Sequence, residues 1–147
     1  MVMDMFEKIL IATDGSEHSK RAAKAGVELA KLSGGNVIAL YVVDVNRALS
    51  DISSNIADEV FEGYRKTVME EGEEATKYVE ESAKMAGVPA ERKVVEGNPA
   101  EEILKISGGS DVVVMGSIGR TGLSKFLLGS VTEKVIRNSK VPVMVVY

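Results

Sequence analysis

Blocks of apolar residues alternate with helical patterns along the whole chain. The short runs rich in valine, isoleucine and leucine are nearly uniformly apolar, which is typical of strands buried on both faces of a sheet. Between them, apolar residues recur at helical spacing among charged ones, as expected for helices that cover a sheet. The pattern predicts five strands, at residues 6–13, 37–43, 92–95, 111–115 and 141–147. It also predicts four helices: the first ends near residue 34, and the others span residues 56–86, 100–106 and 130–138.

Turn and capping signals separate these elements. Gly34 and Gly35 are expected to end the first helix, and the polar stretch 46–55 is expected to be a loop. Asn98 suits a helix N-cap, and Pro99 suits the first helical position that follows it.

Strict alternation of strands and helices predicts the fold class. A single domain over residues 1–147 is expected, since the length suits one sizeable core. We predict a three-layer α/β fold, in which a doubly wound five-stranded parallel sheet carries helices on both faces. The strand order that this class commonly uses is 3-2-1-4-5, which places the first and fourth strands side by side.

Composition narrows the function classes. The formal net charge of −4 argues against general nucleic-acid binding, which needs a basic face. The absence of cysteine excludes disulfides, thiolate metal sites and cysteine nucleophiles. No run approaches the roughly 18 apolar residues of a membrane helix, and the N-terminus lacks a signal-peptide layout. We therefore expect a cytoplasmic protein that contacts neither membranes nor nucleic acid.

The strongest ligand signal is a glycine motif made of Gly116, Gly119, Gly129 and Ser130. It joins the fourth strand to the last helix, and glycines before a helix N-terminus let backbone N–H groups approach an anion closely. Asp14 ends the first strand, so the predicted strand order brings both loops to the place where ligands bind such sheets. The pattern therefore predicts a phosphate-bearing ligand.

Several of these residues also have ordinary structural interpretations. Asp14 before a glycine is a common turn residue, and the glycines could serve as turns alone. Ser130 and Glu133 fit a capping box, in which the serine hydroxyl caps the helix. Arg120 and Lys125 lie within the loop, where either a phosphate contact or solvation is possible.

Over essentially its whole length the chain resembles the universal stress protein family. The resemblance is carried by I-L-I-A-T-D-G-S at residues 9–16, the strand end at residues 42–44, the G-N-P-A helix start at residues 97–100, and the glycine motif. The ATP-binding branch of that family has glycine, two residues, glycine, nine residues, glycine, and then serine or threonine. This chain satisfies that pattern completely, so the resemblance implies a nucleotide-binding member.

The resemblance assigns roles to individual residues. It implies that Gly119, Gly129 and Ser130 hold phosphates, that Gly116 and Asp14 lie near the ribose, and that Val42 or Val43 contacts adenine. The implied ligand is ATP, with Mg²⁺ or Mn²⁺ allowed beside its phosphates, and no catalytic residue is assigned. The complete expected nucleotide-binding set is Thr13, Asp14, Val42, Val43, Met115, Gly116, Gly119, Arg120, Gly129, Ser130 and Val131.

Three functions fit these features of the sequence. The leading hypothesis is an ATP-binding stress-response protein whose nucleotide occupancy changes its conformation or its choice of partner. The alternatives are a slow ATPase or phosphotransferase, and an assembly module that needs no nucleotide.

A homodimer is also expected. An apolar strand from Val141 to Tyr147 at a sheet edge favours pairing with another chain, and the resemblance implies a homodimer through this strand.

Overall fold

A computed structural model of the chain describes residues 5–44, 58–118 and 127–147. Strands and helices alternate through these ranges. The strands are β1 (Lys8–Ala12), β2 (Asn36–Asp44), β3 (Ala90–Gly97), β4 (Val112–Gly116) and β5 (Val143–Val146), and the helices are α1 (Glu17–Ser33), α2 (Asp58–Met85), α3 (Pro99–Ser107) and α4 (Ser130–Asn138).

The five strands form one parallel sheet in the order β3-β2-β1-β4-β5. Ile9 of β1 is paired with Val37 on one side and with Val112 on the other. Val113 of β4 is in turn paired with Val143 of β5. The predicted fold class and strand order are confirmed, and the chain reverses its direction of winding between β1 and β4.

Alternate residues of β1 face two separate cores. Ile9 and Ile11 pack with small residues of α1 and with Val79 of α2, which cover one face of the sheet. Leu10 packs with Ile103 of α3 and with residues of β4 and α4 on the opposite face. Because both faces of the strand are buried, its sequence is apolar without interruption.

Strand boundaries differ from the sequence prediction at the two sheet edges. β3 extends two residues beyond each end of the predicted range 92–95. Its polar residues pair with β2 through the backbone, and this pairing cannot be recognised from the polarity of the side chains. β5 is shorter than residues 141–147, because Pro142 has no N–H to contribute to a ladder. The stretch predicted as a loop, residues 46–55, lies outside the described residues.

Helix α3 begins as its sequence predicts. Asn98 is the N-cap, and its Oδ1 accepts a hydrogen bond from the backbone N–H of Glu101 at 3.1 Å. Pro99 follows as the first helical residue, where its missing N–H costs nothing. The first helix ends at Gly34, whose φ of 72° is the left-handed conformation that favours glycine.

Glycine allows α2 to pack directly on β2. A Cβ at Gly72 would lie 2.7 Å from Tyr41 Cδ1 and 3.0 Å from Val94 Cγ1, both closer than normal contact. Tyr41 is buried and cannot turn away into solvent. The absence of a side chain at this one position therefore sets how close the helix lies to the sheet.

We predict that Gly72→Ala destabilises the protein, whereas Gly63→Ala in the same helix stabilises it. Both changes gain about 0.5–1 kcal/mol of helix propensity. A Cβ at Gly63 meets nothing within 4 Å, but overpacking at Gly72 costs about 1–3 kcal/mol. Urea unfolding of the two variants tests this, and equal free energies of unfolding would contradict the proposed close packing at Gly72.

Candidate functional site

The turn after β1 is held by its own side chains. The backbone N–H of Thr13 donates to Leu40 O at 2.9 Å, which keeps Thr13 beside β2. Thr13 Oγ1 and Ser19 Oγ lie 3.0 Å apart in a buried hydrogen bond. Asp14 Oδ1 accepts from the N–H of Ser16 at 2.9 Å, so the predicted turn role of this carboxylate is confirmed. A carboxylate has several acceptor sites, so this bond is compatible with a second role.

The start of α4 is fastened to the end of β4. The N–H of Gly129 donates to Ser117 O at 2.8 Å, and Thr132 Oγ1 donates to Gly116 O at 2.9 Å. Both bonds join positions that a loop separates in sequence. They fix the first turn of α4 at the carboxyl end of the sheet.

Gly116 lies in close packing between two elements. A Cβ there would lie 3.2–3.3 Å from backbone and side-chain atoms of His18, in the first turn of α1. The glycine thus lets α1 approach the end of β4. This structural role accounts for one glycine of the motif without any ligand.

The capping-box interpretation of Ser130 is wrong. Gly129, with φ −62° and ψ 151°, is the N-cap of α4 and makes no side-chain cap hydrogen bond. Ser130 is the first helical residue, and Glu133 pairs with Arg137 at 2.9 Å on the exposed surface. Among the residues that the structure describes, no side-chain oxygen caps the first N–H groups of this helix, and an N-terminus of this form can accept an external anion.

These elements enclose one cavity at the carboxyl edge of the sheet, with a volume of about 360 Å³. Small-molecule sites commonly measure about 300–1,000 Å³, and open parallel sheets bind ligands at this edge. Eight predicted site residues line the cavity: Thr13, Asp14, Val42, Met115, Gly116, Gly129, Ser130 and Val131.

Of the other three predicted residues, the structure describes Val43 alone. Val43 is 2% exposed and packs with Tyr41 and Ala75 between β2 and α2, whereas Val42 lines the cavity. Successive strand residues point to opposite faces, which separates these two valines. Gly119 and Arg120 lie outside the described residues, as does Lys125.

A wall of the cavity that sequence reasoning missed comes from α2. Tyr64, Thr67, Val68 and Glu71 line it, beside Tyr41 and Asp44 at the end of β2. The four helix residues have the spacing of one helical face, a signal that is present in the sequence. The apolar periodicity that identifies a core helix does not reveal this face, because the face carries polar residues.

The described lining of the cavity does not provide a metal site built by protein side chains alone. In the described ranges, no group of three His, Cys, Asp or Glu side chains is arranged to hold a metal ion. The lining carboxylates are Asp14, Asp44 and Glu71. Mg²⁺ is usually held by one or two carboxylates together with substrate phosphates. A divalent ion here would therefore take most of its ligands from phosphate oxygens.

Fold and cavity together define a doubly wound α/β protein with a candidate ligand cavity where the strand order reverses. The universal stress protein family matches residues 5–147, and the chain belongs to this family. None of the helices in the three described segments is both long and apolar enough to cross a membrane.

Individual family members cover nearly the whole chain. Universal stress protein MJ0531 of Methanocaldococcus jannaschii is 41% identical over 145 residues, which cover 97% of this chain and 83% of that protein. The solved structure of MJ0577 has a TM-score of 0.82 at 35% identity and covers 97% of this chain and 96% of its own. A universal stress protein from Archaeoglobus fulgidus, solved in complex with dAMP, shares the fold with a TM-score of 0.68 at 20% identity, covering 97% of this chain and 99% of its own.

Proposed function

We propose that this protein binds ATP in the cavity and acts in the stress response as a nucleotide-dependent conformational switch, working as a homodimer. The observation that carries the proposal is the convergence of Asp14 and the start of α4 on one cavity whose volume is within the range of small-molecule sites. Neither loop alone would define a ligand class, whereas a carboxylate near a helix N-terminus matches the hydroxyl and phosphate groups of a nucleotide.

The phosphates bind at the start of α4 in this proposal. Gly129 is buried and adds no side chain, and Ser130 and Thr132 line the cavity beside it. A helix N-terminus carries about half a positive charge on its unpaired N–H groups, which favours a phosphate. Val42 and Met115 also line the cavity and supply apolar surface for the base.

Adenine nucleotides are supported by a relative as well as by the glycine motif. The Archaeoglobus fulgidus protein with this fold was solved with dAMP, an adenine nucleotide. ATP itself is proposed from the glycine motif, whose last glycine and serine lie at the start of α4. Mg²⁺ or Mn²⁺ beside the phosphates belongs to the same proposal.

The switch requires that ATP binds one conformation more tightly than another. Helix α4 is suited to transmit such a preference, because its first residue lines the cavity and its chain continues directly into β5. A shift of α4 toward bound phosphates would therefore move the residues that enter the edge strand. Retention of intact ATP supports this switch, whereas repeated release of ADP would support the slow ATPase.

We predict that Ser130→Asp weakens ATP binding by at least about tenfold while leaving the fold intact or more stable. The new carboxylate is favourable at a helix N-terminus by about 0.3–1 kcal/mol, but it repels a phosphate bound there. Ser130 is exposed, so the substitution meets no core packing. Calorimetric titration of nucleotide-free protein with ATP and Mg²⁺, together with urea unfolding, measures both effects.

Ser130→Asn is the matched control, since it has nearly the same size and no charge. It is expected to keep ATP affinity within about threefold of the original protein. Equal affinities of the aspartate and asparagine variants would contradict phosphate binding at α4. No ATP binding to the folded original protein would leave the nucleotide-independent assembly module as the better function.

The homodimer is proposed to form through β5. The carbonyl groups of Pro142 and Val146 accept hydrogen bonds from the N–H groups of Val113 in β4 and of Ser117 just after it. The backbone of Val143 and Val145 therefore faces the other edge. Met144 is 38% exposed and Tyr147 is 75% exposed. A strand edge with apolar side chains pairs readily with a second copy.

We predict that Val145→Pro converts the dimer to a monomer without unfolding it. Proline removes an N–H that faces the open edge and leaves the ladder to β4 complete. Val146→Pro is the contrasting variant, since it removes an N–H on the β4 side and should lower the free energy of unfolding. Light scattering measures the molecular mass of each protein. A monomeric original protein, or a Val145→Pro variant that is folded and still dimeric, would overturn this interface.

A further inference from the structure

Two helices on opposite faces of the sheet contribute different side chains to the cavity. The residues of α2 that line it are mostly polar and include Thr67 and Glu71. The residues of α3 that line it are Pro99 and Ile103, which are both apolar. Apolar surface gains most from burial against other apolar groups, so α3 is better suited than α2 to cover the flat face of an aromatic base.

The side chain of Val42 points to the face of the sheet that α3 covers. Successive residues of β2 alternate between the two faces, and Val43 packs with Tyr41 on the α2 side. Val42 packs instead against the apolar cluster that contains Met115 of β4 and Ile103 of α3, and all three residues line the cavity. A base that contacts Val42 and Met115 therefore lies on the α3 side of the sheet, next to Ile103.

Helix α3 presents its apolar residues from a fixed position. Asn98 caps the helix through the N–H of Glu101 at 3.1 Å, and Pro99 follows as the first helical residue. Ile103 lies four residues further on, so it shares a helix face with Pro99. Ile103 is 4% exposed and is held by the core around it. The apolar surface formed by Pro99 and Ile103 is therefore in place before a ligand binds, which lowers the cost of binding.

We infer that Pro99 and Ile103 form the surface against which the base of the bound nucleotide packs. This inference rests on the proposed function, in which Val42 and Met115 supply apolar surface for the base. Neither Pro99 nor Ile103 has a side-chain hydrogen-bonding group, so they recognise the base by its shape and apolar area. The proposed phosphate site is at the start of α4. The two residues therefore contribute to the affinity for a nucleoside triphosphate and not to the affinity for inorganic triphosphate.

Affinities for ATP and for inorganic triphosphate, each measured by calorimetry with Mg²⁺, test this inference. The double variant Pro99→Ala/Ile103→Val removes carbon atoms from the proposed surface and adds no polar group. It should bind ATP at least about fivefold more weakly, since one buried methylene group alone corresponds to about fourfold. Its affinity for inorganic triphosphate should stay within about twofold. Pro99→Ala alone changes a half-buried residue, so it keeps the core intact, and it should weaken ATP selectively by about twofold or more.

Ile106→Val is the matched control for Ile103→Val. Ile106 lies in the same helix and packs against the same apolar cluster, but it is not among the residues that line the cavity. It should keep both affinities within about twofold, and urea unfolding verifies that each variant is folded.

Three results would overturn the inference while ATP still binds and the proposed function stands. The first is a folded double variant with unchanged affinity for ATP. The second is an equal loss of affinity for ATP and inorganic triphosphate, and the third is an Ile106→Val variant that weakens ATP as much as Ile103→Val does. Failure of ATP to bind the folded original protein would overturn both the inference and the proposed function.

Discussion

The parallel pairing of β1 with β2 on one side and β4 on the other is the constraint on which the site depends. It places the chain segments that follow three strands at one edge of the sheet. Residues of these segments that are distant in sequence, such as Asp14 and Gly129, then line one cavity. Every strand in this pairing is buried on both faces, so the hydrophobic effect that forms the core also brings the polar groups of the site together.

The helices that cover the sheet give the two sides of the cavity different hydrogen-bonding groups. On one side, the N-cap of α4 is Gly129, and no side chain in the described ranges caps the first N–H groups of the helix. On the other side, α2 contributes oxygen atoms through Thr67 and Glu71. Packing determines this arrangement, since Gly72 sets the distance of α2 from β2 and Thr132 ties α4 to Gly116. The same contacts that stabilise the fold therefore orient the groups that line the cavity.

Much of the fold could be predicted from local sequence. Largely apolar runs identified β1, β2, β4 and β5, and Asn98 and Pro99 identified the start of α3, because these signals act over a few residues. The choice between Val42 and Val43 could not be made, since it depends on which face of β2 meets the cavity. Ser130 was ambiguous for a related reason: S-x-x-E describes a capping box only when the serine has N-cap dihedrals, and here Gly129 adopts them.

The α2 wall shows the limit of reading a site from motifs. The glycine motif and Asp14 lie next to strand ends, where the strand order alone predicts their meeting. Glu71 lies in a long helix with many glutamates, and its neighbour Glu70 has the same charge but is exposed. The two positions differ in how α2 packs on the sheet, where Gly72 lies against Tyr41, and that contact joins residues far apart in the chain.

The most direct test of a single nucleotide site is an ATP titration followed by two-dimensional ¹H–¹⁵N NMR. If the ends of β1 and β4 form one nucleotide site, the amide signals of residues 13–14, 116–118 and 129–132 will shift together and report one dissociation constant. Saturable shifts confined to one strand end, or lying away from the carboxyl edge of the sheet, would contradict the central claim.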